Sequence, residues 1–222
     1  MISLLSILIL SYLVGSIPTS IIVSKILKGI DIRDYGSGNA GGTNAFRVLG
    51  WKAGIFVMLI DIAKGTFATV VISKIHIDAL PFDNSTLIMI LAGVCAILGH
   101  TYTIFAGFKG GKGVGTGAGM LIGLFPIAFL ICLIVFAIIL FSTGIVSVSS
   151  MAAAISLPIV LIILDNLFSK NVDTTLTIFS IIIPFFIIFT HRSNIKRLIK
   201  GEENSFDKIM IFRRKKAKST EK

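Results

Sequence analysis

Long apolar runs are the feature that most limits what this chain can fold into. Four of them, at residues 2–24, 53–75, 85–105 and 174–190, approach the roughly 20 residues that a helix needs to cross the hydrocarbon core of a bilayer. The chain has 222 residues, of which 55% are hydrophobic and only 14% are charged, a balance typical of polytopic membrane proteins. The sequence therefore predicts an all-α polytopic membrane protein.

A further apolar stretch, residues 113–166, is too long for two spans of ordinary length. Pro126 suits the first turn of a helix and Gly144 interrupts the apolar run, so we expect three helices there. These helices cover residues 113–124, 126–142 and 145–165. The first is short and can be partly re-entrant, provided that neighbouring helices cover its ends. The total becomes about seven transmembrane helices.

Three polar segments interrupt the apolar runs. The first segment is residues 36–50 (GSGNAGGTNAFRVLG), the second segment is residues 108–116 (FKGGKGVGT) and the third segment is residues 191–204 (HRSNIKRLIKGEEN). Flexible interfacial turns are the plain alternative, but a turn does not require so many glycines, amides and cations. Glycine backbone combined with cationic side chains is typical of anion-binding sites. We interpret the segments as one site, in an enzyme that acts on phosphates at the membrane surface.

The positive charges indicate which side of the membrane each segment faces. Eighteen of the 21 Lys and Arg residues lie in residues 25–52, 109–112 and 192–222. Short cytoplasmic loops collect Lys and Arg, so the three segments and the C-terminus are predicted to be cytoplasmic and the N-terminus outside. We expect residues 1–205 to form a single membrane domain and residues 206–222 a basic cytoplasmic tail. This distribution does not suggest a nucleic-acid partner.

The first two segments offer different anion donors. Arg47 carries a planar fork of donors that suits a phosphate, with Ser37 and Asn44 nearby in sequence. Lys112 and the backbone of residues 110–113 resemble a phosphate-binding loop that leads into a helix N-terminus. The Walker A spacing is absent, so an ATPase is not indicated. We expect one phosphate at each of these two places.

The third segment continues the last span with a polar stripe. His191, Asn194 and Arg197 follow one another at intervals of three residues, so a continuing helix places them on one face. Glu203 lies just beyond Gly201, a glycine that favours a helix end. The carboxylate of Glu203 can orient a cation or bind a hydroxyl group, and a solvated surface charge is the alternative.

Polar residues within the spans are few. Asp61 and Lys64 lie deep in the second span, where a structural ion pair is favoured slightly over direct substrate contact. His100 is expected to be a packing residue. Cys95 and Cys132 lie in apolar runs and do not indicate a disulfide. Three separated His residues and two Cys residues give no metal-ligand spacing, so no metal site is predicted.

The three segments, together with DIAKG at residues 61–65, resemble the motifs of the bacterial acyl-phosphate:glycerol-3-phosphate acyltransferases, the PlsY family. Order and spacing match over nearly the whole chain. The sequence departs from the family at four positions. The family often has Pro and Ala where this chain has Ala40 and Gly42. It usually has Ala in place of Gly115 and a basic residue in place of Thr190. The resemblance implies an inner-membrane enzyme that transfers a fatty acyl group from acyl phosphate to the sn-1 hydroxyl of glycerol 3-phosphate. The products are lysophosphatidic acid and phosphate, and no cofactor is implied.

The resemblance also assigns residues and partners. Catalytic roles are expected for His191, Asn194 and Ser37. Binding of substrate or phosphate is expected for Gly38, Asn39, Thr43, Asn44, Arg47, Gly111, Lys112, Gly113, Thr116, Arg197 and Glu203. Membrane lipid surrounds the enzyme, and a partner enzyme that makes acyl phosphate is compatible with this assignment. Whether His191 or the donor phosphate takes the proton of the hydroxyl group is left open.

Two further points concern rival functions. No His is followed five positions later by Asp, because Pro81, Phe105 and Lys196 occupy those places, so donors such as acyl-CoA are disfavoured. A transporter of organic phosphates is the main alternative, since glycine-broken helices and cations also bind anions there. A transport path requires polar residues on both sides of the membrane. Their concentration on one side favours an interfacial enzyme.

Overall fold

The computed structural model of the chain describes residues 1–81, 83–206 and 210. Within these residues the regular elements are α-helices and short 3-10 turns, which confirms the all-α prediction. The α-helices are α1 (Ile2–Gly15), α2 (Thr19–Lys28), α3 (Gly42–Leu49), α4 (Trp51–Val70), α5 (Ser85–Thr101), α6 (Val114–Leu124), α7 (Pro126–Thr143), α8 (Val146–Asn166), α9 (Thr174–Thr190) and α10 (Arg192–Ile199).

Several helices are long and apolar enough to cross a membrane. Five such stretches are Ile2–Lys28, Trp51–Lys74, Ser85–Ala106, Pro126–Thr143 and Val146–Asn166. α9 and α10 qualify together but are bent by 62°, and α6 is a shorter apolar helix. The predicted bounds of α6 to α9 agree with the observed ones to within one residue. The count of about seven crossings stays a prediction.

The first predicted span, residues 2–24, lies within the candidate span Ile2–Lys28, and the helix is interrupted inside it. The structure breaks it between α1 and α2, where Pro18 precedes the first residue of α2. Proline has no amide hydrogen for the helical ladder, which favours a break at this point. The carbonyl oxygen of Ile17 accepts from the N–H of Thr19 at 3.0 Å and from the ammonium group of Lys64 at 3.1 Å. The break is therefore supported by a buried cation from α4.

Glycines bring α4 and α6 close together. A Cβ at Gly65 would overlap the backbone of Thr116, and a Cβ at Gly119 would overlap the backbone of Ile62. Small residues at helix contacts allow such close approach in membranes, where packing rather than water exclusion drives association. The hydroxyl of Thr66 also donates to the carbonyl of Gly119 at 2.9 Å. This contact fixes the short helix α6, which directly follows the second segment.

Different parts of the chain are in contact at the two ends of the helix bundle. At one end the amino group of Met1 contacts the carboxylate of Asp78 at 2.6 Å. At the other end the hydroxyl of Thr190 donates to the carbonyl of Lys112 at 3.1 Å. Arg33, which precedes the first segment, donates there to the carbonyl of Ala106 at 2.8 Å. The three polar segments therefore meet at the same end of the bundle.

Candidate active site

The first segment is folded by one buried amide side chain. Asn44, which is 1% exposed, accepts a hydrogen bond from the backbone N–H of Ser37 at 2.8 Å. Its amide group donates to the carbonyls of Ile32 and Tyr35 at 3.1 and 3.0 Å. Gly38 has a φ of 71°, in the left-handed region that glycine adopts easily. The side chain of Asn44 thus holds the loop together, although it is predicted to contact a phosphate.

The second segment is fastened to the end of α5 by its backbone. The N–H groups of Gly110 and Gly111 donate to the carbonyls of Thr101 and His100 at 3.0 and 2.9 Å. These two N–H groups therefore have backbone partners, and the phosphate contact expected of Lys112 and the backbone of residues 110–113 stays a prediction. Gly113, at a φ of 84°, turns the chain into α6. The functional group that this segment presents is the side chain of Lys112.

The third segment folds back at the end of α9. His191 follows the last residue of α9, and its Nδ1 lies 2.7 Å from the carbonyl oxygen of Ile187. A carbonyl oxygen can only accept, so Nδ1 carries the hydrogen in the neutral ring and Nε2 is an acceptor. The ammonium group of Lys112 donates to the side-chain oxygen of Asn194. This hydrogen bond joins the second segment to the third segment.

Glu203 connects the polar groups of this end. Its carboxylate accepts from the amide of Asn194 at 2.6 Å and from the guanidinium of Arg197 at 2.7 Å. The hydroxyl of Ser147, from the first turn of α8, donates to it at 3.0 Å. Burial opposes ionisation, but these three hydrogen bonds hold the pKa of Glu203 below its usual range. A charged Glu203 orients Asn194, which in turn contacts Lys112.

Positive charge exceeds negative charge at this end. Arg47 forms no ion pair in the described part of the chain and lies over the ring of Phe206, 4.9 Å from its centroid. Burial lowers the pKa of Lys112 to about 8, assisted by the nearby cations Arg197 and Arg47. Three cationic side chains therefore share one carboxylate, Glu203. The surplus favours the binding of anions.

His191 is neutral in this surrounding. Burial and the charge of Lys112 lower the pKa of His191 to about 4. A neutral ring whose Nδ1 hydrogen is directed at Ile187 presents Nε2 as a hydrogen-bond acceptor. This is the form that can receive a hydrogen bond from a hydroxyl group.

A cavity of about 360 Å³ joins the polar groups to an apolar interior. Its polar end is lined by Ser37, Asn39, Thr43, Asn44, Arg47, Lys112, Ser147, His191, Asn194 and Glu203. Deeper walls come from α6, α7, α8 and α9, and include Leu121, Leu124, Phe129, Leu133, Phe136, Leu157, Leu176, Phe179 and Ile183. From His191 to Leu176 the cavity follows 15 residues of α9, or about 22 Å. It can hold a charged head and a long apolar tail together.

Most, but not all, of the predicted site residues lie on this cavity wall. Those that do not are Gly38, Gly111, Gly113, Thr116 and Arg197. Thr116 is fully buried, whereas Arg197 acts on the cavity through Glu203. Ser147 was not predicted, because a serine in an apolar helix carries no distinguishing pattern. Asp61 and His100, interpreted from the sequence as structural residues, also line the cavity.

No metal site is visible in the part of the chain that the structure describes. Within residues 1–81, 83–206 and 210, no three His, Cys, Asp or Glu side chains are grouped so that they could hold an ion. Besides Asp61, which pairs with Lys64, and the rings of His100 and His191, the polar lining of the cavity consists of cations, amides, hydroxyl groups and the carboxylate of Glu203. Such a set is suited to anionic ligands.

Comparisons with known proteins agree with this geometry. The profile of the family described as glycerol-3-phosphate acyltransferase matches residues 5–201. The glycerol-3-phosphate acyltransferases of Chlorobium chlorochromatii and Chlorobaculum parvum are 48% and 50% identical to this chain. Each alignment covers 92% of this chain and 97% of the relative.

Solved structures are similar over the same length. The crystal structure of PlsY, an integral membrane glycerol 3-phosphate acyltransferase, in its glycerol 3-phosphate form is 35% identical, with a TM-score of 0.78. The match covers 92% of this chain and 96% of that one. A second form of the same protein, with lysophosphatidic acid, gives a TM-score of 0.76 and covers 95% of that chain.

Proposed function

This chain belongs to the glycerol-3-phosphate acyltransferase family, and on that premise we propose that it uses acyl phosphate as its donor and acylates the sn-1 hydroxyl of glycerol 3-phosphate. The products are lysophosphatidic acid and inorganic phosphate. The observation that carries this proposal is the single cavity in which Arg47 and Lys112 face the same space as the apolar side chains of α7 to α9. A phosphate fits the polar half of this cavity, and a fatty chain fits its apolar half.

The acceptor is supported by the bound forms of the related protein. Glycerol 3-phosphate and lysophosphatidic acid are the ligands of the PlsY structures that this chain resembles. In this chain, the surplus of cations at Arg47, Lys112 and Arg197 over Glu203 matches two phosphate groups held close together. One phosphate belongs to the acceptor and the other to the donor.

Acyl phosphate is favoured as the donor because it needs little from the protein. It is already activated, so the site has to align the hydroxyl group and stabilise charge on the carbonyl oxygen. Ser37 lies at the polar end and can donate a hydrogen bond to that oxygen. The absence from the sequence of a His followed five positions later by Asp argues against acyl-CoA and carrier-protein donors.

The reaction is a direct acyl transfer. The hydroxyl oxygen forms a bond to the carbonyl carbon, and the bond from that carbon to the phosphate oxygen breaks. Nε2 of the neutral His191 accepts a hydrogen bond from the hydroxyl group and orients it. With its pKa near 4, His191 is a weak base, so the proton passes to the departing phosphate. Asn194 holds Lys112 beside that phosphate.

The location follows from the charge distribution. We place the protein in the bacterial inner membrane as a multi-pass protein with residues 1–205 as its membrane domain and residues 206–222 as a basic tail. The N-terminus is outside, and the three segments and the tail are cytoplasmic, where both water-soluble glycerol 3-phosphate and an enzyme that supplies acyl phosphate can reach them. Labelling of Lys109→Cys and Lys74→Cys in intact cells tests this orientation, since labelling of Lys109→Cys from outside would contradict it.

The decisive test is donor-dependent product formation by the purified chain. We expect lysophosphatidic acid, acylated at sn-1, from acyl phosphate and glycerol 3-phosphate without added metal, ATP or coenzyme A. Lys112→Ala should remove most of this activity, whereas Lys109→Ala, an exposed lysine of the same segment, serves as the matched control. Turnover with acyl-CoA but not with acyl phosphate would show that the proposed donor is wrong.

A further inference from the structure

After α10 the chain returns to the polar end of the bundle and crosses beside the cavity. The turn begins at Gly201, which has a φ of 71°, and Glu203 is then held by the three hydrogen bonds described above. Further along, the N–H of Phe206 donates to the carbonyl of Gly144 at 2.8 Å. The family profile ends at residue 201, so Phe206 lies beyond the part of the chain that it matches.

The ring of Phe206 lies against two side chains of α3. It meets the ring of Phe46 edge to face, with 5.5 Å between the centroids and an angle of 88° between the planes. The guanidinium carbon of Arg47 lies 4.9 Å from the centroid of the Phe206 ring. Because Gly144 holds its backbone and Phe46 its ring, Phe206 is fixed independently of Arg47. It can therefore support the guanidinium group.

An aromatic ring holds a guanidinium group in a way that a carboxylate does not. It attracts the charge through the negative face of its π-system and offers no lone pair to the five N–H groups. In the described part of the chain Arg47 has no hydrogen bond and no ion pair, so its donors are available. A carboxylate would balance the charge and occupy two of these donors. The contact with Phe206 thus stabilises Arg47 and leaves it able to bind an anion.

A carboxylate is close enough to compete for Arg47. Burial lowers the pKa of Arg47, and the charge of Glu203 acts in the opposite direction. Glu203 is already bonded to Asn194 and Arg197. Without the ring, Arg47 would be free to turn toward Glu203 and pair with the carboxylate that orients Asn194. Both changes would reduce the capacity of this end for phosphate.

We propose that Phe206 is a positioning residue, which keeps Arg47 unpaired and in place for a phosphate. Arg47 lies on the cavity wall and Phe206 does not, so Phe206 acts through Arg47 and does not touch substrate. This inference rests on the proposed function, in which Arg47 and Lys112 serve two phosphates. Since Lys112 is assigned to the phosphate of the donor, Arg47 serves that of the acceptor.

The test replaces Phe206 by a residue without a ring and by one that keeps it. Phe206→Leu retains an apolar side chain and the backbone bond to Gly144, whereas Phe206→Tyr also retains the aromatic face. In Phe206→Leu we expect the KM for glycerol 3-phosphate to rise about 5- to 30-fold, the equivalent of about 1–2 kcal/mol for a desolvated cation–π contact. Because this contact concerns binding, kcat should change by less than about twofold. Phe206→Tyr should restore the wild-type KM.

A double-mutant cycle tests whether Phe206 acts through Arg47. In an Arg47→Met background, Phe206→Leu should change the KM by less than about twofold, because the cation that the ring holds is no longer present. Phe189→Leu is the matched control. The guanidinium carbon of Arg192 lies 4.8 Å from the ring centroid of Phe189, and neither residue is on the cavity wall. The control loses the same kind of contact and should keep the wild-type KM.

The outcomes are distinct. An unchanged KM in Phe206→Leu, or effects of Phe206→Leu and Arg47→Met that multiply in the double variant, would overturn the inference and leave the proposed function intact. An equal loss in Phe206→Tyr would also overturn it, since packing and not the aromatic face would then be responsible. Equilibrium binding of glycerol 3-phosphate, measured without a donor, should show the same pattern as the KM. If this binding pattern is found but the wild type makes no product from acyl phosphate, the proposed function fails and the role of Phe206 stands.

Discussion

The charge of Lys112 gives the most specific prediction, a loss of activity above pH 8. Its pKa is lowered to about 8 by burial and by the neighbouring cations, so the free enzyme loses this positive charge within an accessible range. The protonated form binds a phosphate and the neutral form does not. Activity that depends on this charge is therefore present below pH 8 and declines as the pH rises through it.

The size of the loss follows from the fraction of protonated Lys112. A group with a pKa of about 8 is about 90% protonated at pH 7 and about 10% protonated at pH 9. Because kcat/KM reports the pKa values of the free enzyme, it should fall about tenfold over this interval. The second ionisation of a phosphate monoester, near pH 6, is largely complete by pH 7 and does not produce this decline.

Three variants identify the group responsible. Lys112→Arg keeps its charge to higher pH, so the decline should disappear, whereas Lys112→Met should be weakly active and independent of pH over the same interval. Lys109→Met, altered at an exposed position of the same loop, should behave as the wild type. The assay is phosphate release in detergent micelles at acceptor concentrations well below KM. A decline that persists in Lys112→Arg would refute the assignment of this pKa to Lys112.

The remaining predictions concern the cation Arg47, the contact between α4 and α6, and the binding of the acyl chain. Arg47→Ala should lower kcat/KM by about 10- to 150-fold, as for a lost charge-assisted hydrogen bond of about 1.5–3 kcal/mol, while Lys52→Ala leaves steady-state kinetics unchanged. Gly119→Ala should lower the unfolding temperature measured in detergent, but Gly117→Ala should not, since its Cβ would meet Ile97 at an ordinary 3.6 Å. Leu176→Trp should shift the preference of the enzyme toward shorter acyl phosphates in a competition assay, because the larger side chain shortens the apolar end of the cavity. An unchanged preference for acyl-chain length would show that the acyl chain binds elsewhere.

Local signals in the sequence were sufficient for much of the fold. Pro126 is pre-organised for a first helical turn, and Gly144 takes the left-handed conformation, with a φ of 71°, that ends α7. The bounds of α7 and α8 could therefore be predicted to within one residue. Apolar composition alone was enough for the membrane class, because few soluble helices are so continuously hydrophobic.

Contacts between distant residues explain what the sequence did not predict. The break after α1 involves Lys64, 47 positions away from Ile17, and no local pattern shows this partner. The N–H groups of Gly110 and Gly111 donate to carbonyl oxygens at the end of α5, and glycine content alone does not reveal these partners. The tertiary partner, and not the residue type, decides whether a backbone donor is free.

The short length of α6 explains how a charged head and a fatty chain can share one cavity. Its 11 residues span about 16 Å, roughly half of the ~30 Å hydrocarbon core. Lys112 precedes this helix, so its charge stays at the end of the bundle where Glu203 and Asn194 are found. On α6 itself, the small residues Gly117 and Ala118 line the cavity and leave it wide enough for a fatty acyl chain. A longer or bulkier helix would fill the space that the apolar tail requires, and the cations would then face a closed wall.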